Sequence, residues 1–184
     1  MAATLSPGLA TTGSGAQLPV IALPQGELLT VNVDQVPLLK DLVAPGIHVQ
    51  PLRFDLEKGE WVFLATLAPG AELPLHYHTG PAQVWTIQGR WEYKEYPTQP
   101  QVAGSYLYEP GGSVHTFFVP ADNTEDTIAL AWIEGAQVSF NEDGSFHSVF
   151  DSVAIQYLTE TRAAAEGHAP IPYIRGAGAS VNKA

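Results

Sequence analysis

Between residues 47 and 150 the chain is cut into short extended runs by turn residues, and this succession limits the fold more than any other feature. The runs cover 47–57, 60–68, 72–78, 83–88, 90–96, 105–109, 115–119, 127–134, 136–141 and 145–150. Lys58-Gly59, Ala68-Pro69-Gly70, Pro110-Gly111-Gly112 and Asp143-Gly144 punctuate them, and these are residues that turns require. Many short strands at even spacing lead to an all-β barrel or double-sheet jelly roll. No internal repeat is evident.

The two ends differ from this middle. Residues 1–19 are rich in Ala, Thr, Gly and Ser without periodicity and read as a flexible N-terminal arm. After Asp151 the spacing of Val153, Tyr157, Leu158 and Thr161 is one-sided. A C-terminal helix is therefore expected, capped by Asp151 or Ser152 and stopped at Gly167. Residues 20–166 then form one domain, and 167–184, with Pro170, Pro172, Gly176 and Gly178, form a tail.

Composition removes several classes of function. Eight Lys+Arg against nineteen Asp+Glu give a formal net charge of -11, which repels nucleic acid. With no cysteine, disulfides and thiolate metal sites are excluded, leaving imidazole and carboxylate as metal ligands. No apolar run approaches a membrane span. Met1-Ala2-Ala3-Thr4 lacks the basic start of a signal peptide, so a cytoplasmic location is expected.

Three histidines sit inside glycine and proline frames. Gly70 precedes His76 and His78, with Gly89 beyond; Gly104 precedes Pro110-Gly111-Gly112, with His115 three residues past the last glycine. On a strand, positions 76 and 78 point the same way with Cα atoms roughly 6–7 Å apart. Two imidazoles so placed converge on one cation, because metal–nitrogen bonds are about 2.0–2.1 Å long. The Pro110-Gly111-Gly112 turn launches a later strand that delivers His115 as a third ligand. His48, His147 and His168 have no such frame and read as surface or strand residues. Three neutral imidazoles leave a divalent ion its full charge and open positions. Such a centre favours an anionic, bidentate oxygen ligand such as an enolate or α-hydroxyketone.

Trp85, Trp91, Tyr93, Tyr106, Tyr108, Phe117 and Trp132 all fall in strand-like runs. Those on the inward face would wall a flat cavity suited to an aromatic substrate. Gln83, Trp85, Tyr93 and Phe117 are the candidate substrate-binding residues.

The two framed halves resemble the paired motifs of the cupin superfamily, which implies a cupin double-stranded β-helix, a jelly-roll barrel, here with a C-terminal helix and extended arms. The run from His76 to Tyr93, with Tyr106 to His115, is similar to the cupin group related to 2,4'-dihydroxyacetophenone dioxygenase. That resemblance implies Fe(2+) held by His76, His78 and His115. It also implies cleavage by O2 of the carbon–carbon bond beside the ketone of a small aromatic α-hydroxyketone, giving 4-hydroxybenzoate and formate. A homodimer or homotetramer is implied as well. The competing readings are a zinc-binding sensor-type cupin without turnover, a β-diketone-cleaving dioxygenase and a metal-dependent isomerase.

Most cupins carry a Glu shortly after the second histidine, where this chain has Ala82 and Gln83. A hairpin centred on Gly89 would set Glu95 opposite Gln83, as a fourth ligand, a catalytic base or a rim carboxylate.

Overall fold

The computed structural model describes residues 8–22 and 29–176. Residues 8–22, which begin in the expected arm of 1–19 and run three residues past it, form an antiparallel hairpin of β1 (Gly8–Thr11) and β2 (Gln17–Ala22) and belong to a unit separate from the main body.

The main body is built from β3 (Ile47–Asp55), β4 (Glu60–Leu67), β5 (His76–His78), β6 (Ala82–Gln88), β7 (Arg90–Tyr93), β8 (Gln101–Val102) and β9 (Tyr106–Glu109). It continues with β10 (Val114–His115), β11 (Phe117–Phe118), β12 (Thr127–Glu134), β13 (Gln137–Phe140), β14 (Phe146–Phe150), the helix α1 (Ser152–Ala165) and β15 (Ile174–Arg175). Six strands pair in the order β15-β3-β4-β12-β6-β9; shorter sheets of order β10-β5-β13-β14 and β11-β7-β8 supply the opposite wall. Among the described residues every pairing except β15 with β3 is antiparallel. This is the jelly roll that the turn spacing predicts.

Alternation along the six-stranded sheet divides its residues by size. Ala65, Ala82, Ala129 and Ala131 are buried on the concave side, while Trp85, Leu130 and Trp132 point outward. Small side chains facing inward leave space between the sheets instead of filling it. Trp61 on β4 and Trp91 on β7 of the opposite wall are also buried, and both are satisfied. Trp61 Nε1 donates to the Gly135 carbonyl at 3.1 Å and Trp91 Nε1 to Thr86 Oγ1 at 2.9 Å.

Gly89 is a corner, not the centre of a hairpin. The chain leaves the large sheet at the end of β6 and enters the β11-β7-β8 sheet as β7. Gly89 has φ of 76°, and a Cβ there would stand 2.5 Å from Thr127 Oγ1. That hydroxyl accepts from the Arg90 backbone N–H at 3.1 Å and donates to the Arg90 carbonyl at 2.9 Å, fixing the change of direction.

The helix begins and ends where the sequence predicts. The Asp151 side chain accepts from Ala154 N–H at 2.8 Å, and Gly167, with φ of 76°, follows its last turn. Its Ile155 and Ala163 join the core. Beyond it, part of the expected tail is anchored: Ile174 and Arg175 pair in parallel with Arg53 and Phe54, and Gly176 N–H donates to the Phe54 carbonyl at 2.7 Å. Residues 177–184 lie outside the described residues. Among the described residues no helix is long and apolar enough to cross a membrane.

Candidate metal centre and cavity

Strand β5 contributes His76 and His78 to one face, both buried, with the half-buried Tyr77 between them. Its two neighbours complete the cluster by register. On one side β10 places His115 opposite His76; on the other β13 places Gln137 opposite His78 and Ser139 opposite His76. The Pro110-Gly111-Gly112 turn locks the two halves together, because Gly112 N–H donates to the His78 carbonyl at 2.8 Å. Gly111 packs so closely on Thr79 that a Cβ would lie 3.1 Å from its carbonyl oxygen.

The three imidazoles each present a nitrogen within 4.8 Å of the others. His76 Nδ1–H donates to the Pro74 carbonyl at 2.8 Å, which fixes its tautomer and leaves Nε2 free as a ligand. Burial pushes His76 and His78 down to about 4, so both rings are neutral near pH 7 with a lone pair available.

Glu109, at the inward end of β9, is the fourth member. Its Oε2 lies 3.3 Å from His115 Nε2 and 3.6 Å from His78 Nε2, while its Oε1 accepts from the Tyr93 hydroxyl. Burial opposes its negative charge, but His115, the Tyr93 hydrogen bond and His78 outweigh it and bring the carboxyl below its ordinary range. Burial, reinforced by Glu109, raises the Tyr93 phenol well above its own range. Tyr93 also stacks on His115, with ring centroids 4.0 Å apart.

The cluster fits a divalent cation. Glu109 Oε2, His115 Nε2 and His78 Nδ1 are buried without a hydrogen-bond partner, and buried polar atoms are rarely left so. An ion held by the imidazole nitrogens would give His115 Nε2 a partner and set its charge beside Glu109 Oε2, and imidazole suits iron, zinc, copper or nickel.

The centre opens on a cavity of about 110 Å³. Polar side chains enter it from His76, His78, Tyr93, Glu109 and Gln137; the remaining lining is hydrocarbon or indole, and includes no Lys or Arg. This cavity lies between the two sheet walls, bounded by Val49 and Ala131 on one side and Phe117 on the other.

The ChrR cupin-like domain family matches residues 27–137, more than half of the chain. A cupin-like-fold protein of unknown function from Ralstonia eutropha JMP134 is 39% identical, with a TM-score of 0.81 over 86% of this chain and 98% of its own. This chain belongs to the ChrR-like cupins. An RmlC-like cupin from the same organism superposes with a TM-score of 0.73 at 24% identity, covering 79% of this chain and 93% of its own. An acetylacetone dioxygenase from Acinetobacter johnsonii superposes at 0.63 with 17% identity, covering 75% and 93%. At those identities the likeness is one of fold. None of the curated proteins matches the sequence.

The structure of this cupin divides the sequence candidates. His76, His78 and His115 meet, and Tyr93 and Phe117 line the cavity. Gln83 and Trp85 do not reach it: they share one face of β6, as their spacing requires, but that face is the outer one. Gln83 Oε1 accepts from the Tyr106 hydroxyl at 2.7 Å, and Trp85 is 52% exposed. Glu95 is also outside, since no β6–β7 hairpin forms to carry it inward. Its carboxylate instead accepts from the Thr116 N–H at 2.7 Å and the Thr116 hydroxyl at 2.9 Å. Burial raises its pKa, and the Thr116 bonds overcome this to leave it lowered.

Glu109 was the residue that sequence reasoning passed over. One signal was available. On a strand that carries Leu107 inward, position 109 shares that face, and a carboxylate there needs a partner.

Proposed function

We propose that this cupin is a non-haem Fe(II) dioxygenase that cleaves a carbon–carbon bond beside the carbonyl of a small, apolar, oxygen-chelating ketone. An aromatic α-hydroxyketone such as 2,4'-dihydroxyacetophenone is the first substrate to test. With one O2 it would give 4-hydroxybenzoate and formate, in which every atom of ketone and oxygen is accounted for. The observation that carries the reading is the juxtaposition of three imidazoles with a cavity lined by hydrocarbon and free of Lys and Arg. Sugar phosphates and carboxylate substrates would find no cationic side chain there. An acetylacetone dioxygenase built on the same fold is consistent with ketone chemistry in such a barrel.

Iron bound by His76, His78 and His115 would supply Lewis acidity toward a chelating ketone and hydroxyl, and the electrons that engage O2. The chain's own residues do the rest. Glu109 Oε2, 3.3 Å from His115 Nε2 and 3.6 Å from His78 Nε2, would take the proton of the substrate hydroxyl. Tyr93 holds the other carboxylate oxygen and so fixes the direction in which that base points. Phe117 and the small residues of β12 orient the ring and exclude water from the reacting end.

Oxygen uptake by iron-loaded protein with 2,4'-dihydroxyacetophenone, with product analysis for 4-hydroxybenzoate and formate, tests the reading. Stoichiometric uptake and both products are expected; no uptake with α-hydroxyketones or β-diketones refutes it. A second reading, a zinc-holding cupin without turnover, is favoured by the ChrR description of the family. It uses the same histidines and predicts zinc in the purified protein with no oxygen uptake.

A further inference from the structure

The cavity keeps its polar groups at one end. Cross-strand register divides the inward face of the six-stranded sheet into rows, each two residues, or roughly 6–7 Å, from the next. Glu109 lies in the row of Ala82, Ile133 and Trp61. The next row brings Val84, Ala131 and Phe63 to the cavity, and the one after it Ala129, Ala65 and Val49. Past the Glu109 row these side chains offer a ligand only hydrocarbon.

The polar atoms nearby are already engaged. Thr86, opposite Ala129, is 1% exposed and lies outside the lining, and its Oγ1 accepts from Trp91 Nε1 at 2.9 Å. Trp61 Nε1 is held by the Gly135 carbonyl. On the facing wall the side chains that could bond a ligand are the histidines, Tyr93 and Gln137, and register sets Gln137 against His78. A ketone chelated at the histidines therefore meets every such group with its two oxygens and enters hydrocarbon with its other end. A hydroxyl at that far end would lose water and gain no partner.

We infer that the site selects ketones by the end remote from the metal, accepting an unsubstituted phenyl or alkyl group there and disfavouring a para-hydroxyl. The inference rests on the ketone-cleaving reading above and narrows its substrate class: 2-hydroxyacetophenone, giving benzoate and formate, is preferred to 2,4'-dihydroxyacetophenone. In that reaction the bond between the carbonyl and hydroxymethyl carbons breaks, each carbon gains one oxygen atom, one hydroxymethyl hydrogen passes to the benzoic acid, and O2 takes up the four electrons that the two carbons lose.

Calorimetric binding to the iron-loaded protein without oxygen tests the selection apart from turnover. Three ligands are compared: 2-hydroxyacetophenone, its 4'-hydroxyl analogue and its 4'-methyl analogue, in which an apolar group of similar size replaces the hydroxyl. The unsubstituted and methyl compounds are expected to bind about 10–100-fold more tightly than the hydroxyl compound. Of Ala129→Ser and Ala131→Ser, which put a hydroxyl into successive rows, at least one should narrow that ratio by several-fold. A hydroxyl compound that binds as tightly as the unsubstituted one, a methyl compound rejected equally, or a ratio unchanged in both variants overturns the inference. Binding of none of the three overturns it together with the reading beneath it. Binding in the expected order with no oxygen uptake on admitting air supports the selection and refutes the dioxygenase reading alone.

Discussion

The two faces of the six-stranded sheet are both apolar, yet they are built for opposite purposes. On the concave side Ala65, Ala82, Ala129 and Ala131 keep side chains short, and a cavity remains between the sheets. On the convex side, the same strands carry Trp85, Leu130 and Trp132 at the alternate positions. Polarity does not distinguish the faces; at the centre of β6 and β12 size does, whereas β4 carries Trp61 and Phe63 inward. That alternation leaves a cavity on one side of these strands and exposed aromatic rings on the other.

Substitutions that respect or violate this division should sort accordingly. The largest effect is expected at the inward end of β10, where His115→Ala removes one of three ligands; metal content by mass spectrometry of elements should fall close to zero while the fold persists. Stoichiometric metal in that variant would break the assignment of the concave face.

Acid gives the next largest effect. His76 and His78 take up protons at about 4 in the folded chain against about 6.5 when unfolded. Between those values the unfolded state binds more protons, so stability falls as pH drops through that window and is untouched above it. For the metal-free protein the loss is of order 3 kcal/mol per histidine at the acid limit, measured by denaturant titration from pH 7 to 4. A flat profile would mean that the rings are not buried neutral.

Glu109→Gln keeps the shape but removes the charge beside His78 and His115, and metal affinity should fall about 10–100-fold. Competition with a chelator reads this. The same measurement on Glu95→Gln should show no comparable loss, because Glu95 bonds Thr116 outside the cavity.

Ala131→Leu sharpens the comparison from within the cavity. Three added carbons displace a bound ketone, and turnover should fall by about 100-fold with metal content unchanged. The smallest effect belongs to Trp85→Ala on the convex side, for which metal content and turnover should match wild type. A loss of activity there would return Trp85 to the substrate site and undo the contrast between the faces.

The fold was largely legible in the sequence because turn chemistry is local. Gly70, Gly104 and Gly112 all take positive φ, and the strands lie between such turns. The three histidines were legible for the same reason, as a period of two on one strand and a glycine turn before another. The fourth group was not. Glu95 was placed by assuming that adjacent strands pair across Gly89, whereas β6 and β7 belong to different sheets. Nothing local in a sequence states that a glycine turns a corner rather than a hairpin; contact with Thr127, thirty-eight positions away, decides it. Gln83 and Trp85 failed for a different reason. Their shared face was read correctly, but with aromatic residues on both faces, hydrophobicity carried no sign for inward and outward. Tyr93, on β7 where Arg90 and Glu92 take the other face, lines the cavity as its alternation implies, and Phe117 lines it as well.

The central claim is that three imidazoles grip one iron at the end of an apolar cavity. X-ray absorption at the iron edge, on protein loaded anaerobically with ferrous salt, tests it most directly. One iron per chain bound by three histidine nitrogens, and no iron retained by His115→Ala, is the predicted result. A chain that takes up no iron, or whose iron shell is unchanged when His115 is removed, would contradict it.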